Sequence, residues 1–447
     1  MTRLAPALLC LSILLQAATG QKQPVHSQTA SASAYKLIAL KVTGTTRYTD
    51  QEILAASGLR LGQNAADGDF KEAVQRLGDS GLFSAVVYSF SSSGAGTKLE
   101  IQLTDTDPGK LVPAHFDNFV GFTDAELLAA LQRSVPLFKQ LLPVAGTIPD
   151  HVSEALQALL TEKKFPGRVS FLREGDESGG ALHGISYRIE EVTILIRSVE
   201  FPGASPEQTS LLAAAARRLV GAEYQRARLA AVAKFDLLPL YLARGYLNAS
   251  FGPSDARVVT QPASDPQTPA DLHSEIQVDA ILPVTPGKVY STSAVVWKGN
   301  SAIPAADLAP LLHLPLGQPA DAVRLGEDVK AAIKLYRSHG YMSVQIKPDA
   351  QLDDEKSAVH YDLNVVEGDL YRMGEFEING LDTQAKARMV EAWTLREGQP
   401  YNADYPKKFL EDTRQIVPRG VRWAVTIHEA VNAKDKTVDV EIRFKQQ

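Results

Sequence analysis

A pair of glycines recurs at a constant interval, and this repeat constrains the fold more than any other feature of the sequence. The first glycine of each pair ends a short segment such as Leu40-Lys41-Val42-Thr43-Gly44, with apolar residues two and four places before it. That period is typical of a half-buried strand. The second glycine follows 18 residues later in four segments: Gly44 and Gly62, Gly203 and Gly221, Gly299 and Gly317, and Gly380 and Gly398. One interval kept through four segments predicts tandem copies of one small unit.

Two helices are predicted in each copy. The residues between the paired glycines are helical in pattern, and Thr49 and Pro206 suit the start of such a helix. A second helical pattern follows at 69–80, 224–244, 322–339 and 405–415. It closes on a glycine, at Gly81, Gly245-Tyr246, Gly340-Tyr341 and, in the last copy, Gly420. Each copy then ends in a strand, a polar hairpin and another strand, which predicts the order β-α-α-β-β.

A degenerate copy lies between the first two regular ones. It has Gly121 and Gly146 as its glycine pair, and its longer interval places an insertion within residues 135–144. The predicted fold class is therefore α+β, with five tandem modules. Each is expected to form a three-stranded mixed sheet covered by two helices on one face. The predicted module bounds are 35–107, 108–192, 193–285, 286–368 and 369–447.

The amino-terminal residues have the pattern of an export signal. Arg3 precedes an apolar segment that is too short to span a bilayer, and small residues follow before Gln21. Residues 1–20 are predicted to be a signal peptide, with an uncleaved anchor or a lipoprotein at Cys10 as alternatives. Residues 21–34 are predicted to be a polar tether. Cys10 is the single cysteine, so the exported chain would have no disulfide and no cysteine chemistry.

No catalytic, cofactor-binding or metal-binding residues are predicted. The net charge of −6 is opposite to that of a dedicated nucleic-acid binder. His428-Glu429 begins a zinc-protease pattern, but Asn432 stands where the second histidine is required. Acidic residues at 174–177 and 353–355 are interpreted as solvated turns. The basic group Arg217, Arg218, Arg226 and Arg228 is interpreted as a solvated helix face, with contact to anionic headgroups or to a partner protein left open.

The order of elements resembles tandem POTRA domains, the modules of BamA-type outer-membrane assembly factors. The matching parts are the strand that ends in glycine, the Gly-Gln turns at Gly62, Gly317 and Gly398, and the Gly-Tyr pairs at Gly245 and Gly340. In that family a membrane β-barrel usually follows the modules, and this sequence is expected to provide the modules alone. The resemblance implies a location in the periplasm, in association with the outer membrane.

The resemblance also implies a binding site at the second strand of a module. A three-stranded sheet has two edges with unpaired backbone groups, and an extended peptide can pair with such an edge with little dependence on its sequence. The candidate edge residues are Val86, Val87, Tyr88, Ser89 and Phe90 in the first module and Met342, Ser343, Val344, Gln345 and Ile346 in the fourth. Residues 247–251 and 421–427 are the corresponding segments in the third and fifth.

The expected function is that of a scaffold or chaperone in outer-membrane protein assembly or transport. Its expected partners are unfolded outer-membrane proteins or a separate β-barrel or assembly subunit, with peripheral membrane association and no nucleic acid. One alternative is a structural spacer or docking subunit for a separate barrel protein. Another is a truncated assembly factor.

Overall fold

The computed structural model describes residues 36–175, 181–260, 274–418 and 421–447. The predicted signal peptide, the tether and Gly420 lie outside the described residues. The chain divides into two compact units. The first comprises residues up to 115, 124–162 and 171–186, and the second comprises 116–123, 163–170 and 187–447.

The first module forms one mixed sheet with two helices. Its elements are β1 (Leu37–Thr43), α1 (Asp50–Ser57), α2 (Asp67–Asp79), β2 (Phe83–Ser93) and β3 (Gly96–Asp105). β3 is the central strand, parallel to β1 and antiparallel to β2. A capping box begins α1, in which the Thr49 hydroxyl accepts from the Glu52 N–H and the Glu52 carboxylate accepts from the Thr49 N–H.

The second module has a four-stranded sheet, so the prediction of three strands is wrong there. Its elements are β4 (Leu111–Phe116), α3 (Asp124–Ser134), β5 (Leu141–Pro143), α4 (Ile148–Glu162), β6 (Arg168–Gly175) and β7 (Leu182–Glu190). The strand order is β5-β4-β7-β6. The additional strand β5 comes from the predicted insertion and pairs antiparallel with β4. Its Leu142 is fully buried, which explains why this short apolar segment folds back onto the sheet.

The third module has an irregular second half. Its elements are β8 (Val192–Glu200), α5 (Pro206–Ala215), α6 (Arg226–Val232), α7 (Leu238–Leu242), β9 (Ser250–Phe251), β10 (Asp255–Thr260), β11 (Ser274–Ile281) and β12 (Val284–Thr285). Its main sheet has the order β10-β11-β8, and β12 pairs with β9. A π-helical turn, Ala233–Leu237, joins α6 to α7.

The fourth and fifth modules return to the regular pattern. The fourth has β13 (Ser291–Lys298), α8 (Ala305–Leu308), α9 (Ala322–Ser338), β14 (Gln345–Asp353) and β15 (Ala358–Val366). The fifth has β16 (Arg372–Asn379), α10 (Thr383–Ala392), α11 (Tyr405–Asp412), β17 (Trp423–Asn432) and β18 (Thr437–Gln446). Their sheets have the orders β13-β15-β14 and β16-β18-β17. The α+β class is thus confirmed, with several small mixed sheets and their helices.

Alternation along the central strand separates core from solvent in each regular module. Leu99, Ile101 and Leu103 of β3 are buried together with Phe70 and Leu77 of α2. The residues of β3 that alternate with them, Lys98, Glu100 and Gln102, are polar, as the period of a strand with one covered face requires. Within the described residues, no helix is both long enough and apolar enough to cross a bilayer.

The glycine repeat has a direct structural cause. Of the predicted glycine landmarks that the structure describes, twelve have φ between +75° and +94° and Gly146 has +108°. This conformation strongly favours glycine. In the first, fourth and fifth modules the first glycine of the pair also lies against the central strand. A Cβ at Gly44 would be 2.1 Å from the Leu103 carbonyl oxygen, and one at Gly380 would be still closer to that of Phe444. No side chain fits at these positions.

The second glycine of each pair returns the chain to the start of the first strand. The Gly62 N–H donates to the Leu37 carbonyl at 2.7 Å, and the Leu37 N–H donates to the Gln63 carbonyl at 2.8 Å. The same reciprocal pair recurs at Ile196, Thr292 and Met373 of the later modules. This closure accounts for the constant interval, and it covers part of the outer side of the first strand. The second strand is the edge left open.

Candidate functional site

Successive N–H groups of the central strand β3 point alternately to β1 and to β2. This alternation shows which backbone groups of β2 face away from the sheet. The Thr97 N–H donates to the Lys36 carbonyl on the β1 side at 2.8 Å. Residues 98, 100 and 102 therefore face β2, where Gln102 pairs with Val87. It follows that Val86, Tyr88 and Phe90 turn their N–H and C=O groups away from the sheet. We call this side of β2 the free side.

The composition of β2 is unusual for a sheet edge. All of its 11 residues, Phe83–Ser93, are uncharged, and none is proline. Soluble proteins generally protect their edge strands with charges, proline or bulges. Here Val87 is 60% exposed on the outer face beside the free backbone groups. The one irregularity, between Phe83 and Ala85, lies before the open segment. The edge can therefore accept another strand along Val86–Phe90.

The helix-facing side chains of β2 are fixed by α2. The ring of Phe70 lies 6.5 Å from that of Tyr88 and 5.1 Å from that of Phe90, between centroids. The Tyr88 hydroxyl donates to Asp67 at 2.7 Å. Hydrogen bonds from Lys71 and then Tyr88 hold the pKa of Asp67 below its ordinary value, and the bond to Asp67 raises the pKa of Tyr88. The strand is thus held from one face while its backbone stays available.

In the fourth module the predicted candidate segment begins too early. The strand β14 starts at Gln345, so Met342, Ser343 and Val344 precede it and only Gln345 and Ile346 belong to it. The Val344 N–H donates to the Tyr341 carbonyl in a turn at 3.3 Å. The prediction of an edge strand over Met342–Val344 is therefore wrong, because a turn occupies those residues.

A proline blocks the outer edge of β14. The strand pairs with β15 without a break from Gln345 to Asp353. The Ser291 N–H donates to the Ser357 carbonyl on the β13 side, so alternate residues of β15 from Ala358 onward face β14. By the same alternation Pro348 points to the free side, where it supplies no N–H group. Lys347 and Asp349 flank it.

The Gly-Tyr landmarks form joints between modules and do not begin strands. The Tyr371 N–H donates to the Gly340 carbonyl at 2.8 Å, and the Tyr290 N–H donates to that of Gly245, also at 2.8 Å. A Cβ at either glycine would lie 2.7 Å from a tyrosine carbonyl oxygen of the following module. Met342 packs against the core of the fifth module.

The tyrosines of these pairs pack on their own helices. Tyr246 lies 5.5 Å from Tyr241, and Tyr341 lies 6.0 Å from Tyr336, between ring centroids. In the third module the predicted edge at 247–251 is wrong, because only β9 is extended and it pairs with β12. Leu247 packs instead against the core of the fourth module. The edge of the main sheet is β10, six residues long, with Asp255 and Arg257.

The fifth module has a second open edge. β17 is longer than predicted and starts later, at Trp423, and it has no proline. The Gln447 N–H donates to the Arg422 carbonyl at 3.0 Å, so the alternation turns Val425 and Ile427 to the free side. The carboxylate of Glu429 accepts a hydrogen bond from the Tyr401 hydroxyl. This edge differs from β2 in having one acidic residue.

Acidic side chains on the central strands form ion pairs across the sheets. The guanidinium of Arg197 binds both oxygens of Asp279, at 2.9 and 2.6 Å, and Lys298 contacts Asp362 at 2.6 Å. Hydrogen bonds from Arg443 and Asn379 lower the pKa of Glu441 to about 2. The first two pairs join neighbouring strands, whereas Arg443 and Glu441 both belong to β18. The described part of the chain has no group of three or more His, Cys, Asp or Glu residues arranged to hold a metal ion.

The first unit contains a cleft that no sequence motif marks. It has a volume of about 610 Å³ and lies between the helices of the first two modules. Small side chains such as Ala55 and Ala155 line it together with Arg76, His151 and Glu154. Its lining combines residues far apart in sequence, and no local motif marks them.

Comparison with known proteins identifies a POTRA domain. The POTRA family, described as a surface antigen variable number repeat, matches residues 290–368. The predicted resemblance to POTRA domains is confirmed. This match lies within the predicted fourth module.

Solved structures of BamA and Omp85 proteins are similar to the chain. POTRA3–5 of Haemophilus influenzae BamA has 17% identity and a TM-score of 0.39, and the match covers 57% of this chain and 96% of that one. The N-terminal domain of Omp85 from Thermosynechococcus elongatus has 15% identity and a TM-score of 0.23, over 57% and 97%. CdiB from Escherichia coli has 16% identity and a TM-score of 0.21, over 54% and 35%.

Proposed function

We propose that the chain is an exported, non-enzymatic array of POTRA modules that binds extended segments of other proteins by strand addition. Its place of action is the periplasm, and its partners are unfolded outer-membrane proteins during assembly or transport. The observation that supports this most directly is the β2 edge, an uncharged strand without proline whose backbone groups at Val86, Tyr88 and Phe90 face outward.

The backbone of β2 favours weak and sequence-tolerant binding. The three outward residues present six hydrogen-bonding groups, each worth about 0.5–1.5 kcal/mol net. Ordering a flexible peptide costs about 1–2 kcal/mol for each residue, so little net affinity remains from the backbone alone. Apolar contacts between the peptide and Val87 add to the affinity, because this side chain is largely exposed on the outer face. Weak main-chain recognition suits a protein that must bind many clients and release them.

A second candidate function is that of a spacer or docking subunit for a separate outer-membrane β-barrel protein. The joints at Gly245 and Gly340 favour it, because the same backbone hydrogen bond connects the third module to the fourth and the fourth to the fifth. Crosslinking in intact cells separates the two functions. One stoichiometric folded partner supports docking, whereas a mixed set of unfolded outer-membrane proteins supports strand addition.

The direct test of strand addition replaces Tyr88 by proline. Tyr88→Pro removes an outward N–H group and should weaken binding about tenfold or more, since a lost hydrogen bond and a steric block act together. The matched control Tyr88→Ala loses the same contacts with Phe70 and Asp67 but keeps the N–H group, and should bind within about threefold of wild type. The measurement is fluorescence anisotropy with a labelled peptide of alternating valine and threonine, with circular dichroism to verify folding. Equal affinities of the folded proline and alanine variants would contradict strand addition at this edge.

A further inference from the structure

A local excess of positive charge distinguishes the helical part of the third module. Residues 216–245 contain six basic side chains and only two acidic ones, Glu223 and Asp236. The basic residues are Arg217, Arg218, Arg226, Arg228, Lys234 and Arg244. The segment therefore has a net charge of +4 in a chain whose total is −6. This asymmetry indicates attraction to a negatively charged surface.

An aromatic side chain projects from the same segment. Phe235 belongs to the π-helical turn Ala233–Leu237, in which Ala233 and Leu237 are buried. Its side chain is 69% exposed, the largest exposed fraction among the bulky apolar side chains in the described part of the chain. Single π-helical turns are frequent at functional sites. The turn therefore leaves most of the phenyl ring in solvent.

A cation lies beside this ring, and an ion pair connects its turn to a segment with a second exposed apolar side chain. The Lys234 ammonium lies 5.3 Å from the centroid of the Phe235 ring. An ion pair between Arg218 and Asp236 connects the π-helical turn to the short helix Arg217–Leu219. Val220 follows that helix and is 53% exposed. This ion pair thus connects the turn with Lys234 and Phe235 to the segment that contains Arg217, Arg218 and Val220.

We propose that this surface, formed by Arg217, Arg218, Val220, Lys234 and Phe235, binds the headgroup region of an anionic phospholipid bilayer. A phenyl ring can enter the boundary between headgroups and acyl chains while neighbouring basic groups contact lipid phosphates. Long basic side chains can also keep their charged ends among the lipid headgroups while their methylene stems contact the acyl chains. A soluble phosphate would engage the cations but would leave Phe235 and Val220 exposed. The combination therefore favours a bilayer.

This inference does not rest on the proposed strand addition. Phe235 belongs to the second unit, whereas β2 belongs to the first. The variant Tyr88→Pro is therefore expected to bind vesicles like wild type. Failure of one proposal leaves the other intact.

The test is flotation of the full chain with vesicles. Wild type should bind phosphatidylcholine vesicles that contain about 30% phosphatidylglycerol, and should bind pure phosphatidylcholine at least about fivefold less. Raising the salt from about 50 to about 500 mM should release most of the protein, because the screening length falls to a few ångströms. Phe235→Ala should lower the bound fraction about threefold or more. The control Leu316→Ala removes an apolar side chain that is 65% exposed in the fourth module, and should have no effect.

A spectroscopic variant measures insertion directly. Phe235→Trp should show a blue shift of the added emission with anionic vesicles and quenching by brominated acyl chains. Equal vesicle binding by wild type and Phe235→Ala, with unquenched emission in Phe235→Trp, would overturn the proposal. Binding to soluble polyglutamate without binding to vesicles would also overturn it, and would assign the surface to an acidic protein partner.

Discussion

The first and fourth modules have the same strand order, yet their open edges have opposite character. In the first module Tyr88 pairs with Ile101 of the central strand, and in the fourth Pro348 pairs with Leu363. These positions are equivalent. Ile101 lies two residues before Leu103, whose carbonyl contacts Gly44, and Leu363 lies two residues before Val365, whose carbonyl contacts Gly299. The module fold supplies an edge in both cases. The residue at one outward position decides whether that edge can accept a strand.

The neighbours of this position reinforce the difference. Val87 and Ser89 flank Tyr88, and the equivalent residues Lys347 and Asp349 flank Pro348. Charges and proline are the features with which soluble proteins protect a sheet edge from pairing. The fourth module is thus protected and the first is not. Binding is therefore expected at β2 and not at β14.

The largest expected effect comes from destabilising the first module alone. Gly44→Ala combines an unfavourable φ with a Cβ that would lie 2.1 Å from the Leu103 carbonyl oxygen. The free energy of unfolding of this module should fall by about 2–5 kcal/mol, and peptide binding at β2 should be lost with it. The matched control is Gly62→Ala, which has a similar φ but only the flexible Lys36 side chain near its Cβ, at 3.8 Å, and should cost about 1–2 kcal/mol. Chemical denaturation followed by peptide titration tests both. Equal costs for the two variants would show that the carbonyl contact does not matter.

The next effect is a gain of binding in the fourth module. A triple variant, Pro348→Tyr with Lys347→Val and Asp349→Ser, gives β14 the residues of the open edge. In a Tyr88→Pro background it should restore peptide binding to within about tenfold of wild type, since the outward N–H group returns and the flanking charges are removed. The Pro348→Tyr change alone is the control and should restore less. The comparison fails if the triple variant folds and still binds no peptide.

The smallest expected effect is a pH dependence at the contact between α2 and β2. The pKa of Asp67 is held below its ordinary value in the folded chain by Lys71 and Tyr88. A lowered pKa stabilises the fold above the unfolded value, near 4, and this contribution disappears as the pH falls through the lower folded value. Asp67→Asn should therefore be less stable than wild type at pH 6, and the two should converge towards pH 2. Urea denaturation of both proteins across this range measures the difference. A gap that stays constant with pH would assign the effect to something other than the ionised carboxylate.

The sequence predicted the repeat because its cause is local. A glycine with positive φ against a carbonyl, and a second one 18 residues later that bonds back to the first strand, leave a periodic mark in the chain. The edge strands predicted directly after Gly245 and Gly340 are wrong, because the residues there contact the following module. Met342 packs against a core that begins at Tyr371, about 30 residues further along the chain, which no local pattern reveals. The additional strand at Leu141–Pro143 was missed for the same reason, since its partner is β4.

The candidate site was only partly predictable. The residues Val86–Phe90 were identified from the order of elements and from the family resemblance, and they lie within β2. Which of them face outward depends on the pairing register with β3, which a single strand does not specify. The block at Pro348 was visible in the sequence as a proline between charged residues. That this proline lies on the free side of an edge strand follows only from the start of β14 at Gln345 and its register with β15.

Hydrogen exchange at single residues tests the central claim most directly. Amide exchange of the full chain would be measured by nuclear magnetic resonance with and without a strand-forming peptide. Strand addition at β2 predicts that the amides of Val86, Tyr88 and Phe90 gain protection, while Ala350 and Leu352 of β14 do not change. Protection that arises equally in both strands, or only in the helices, would contradict it.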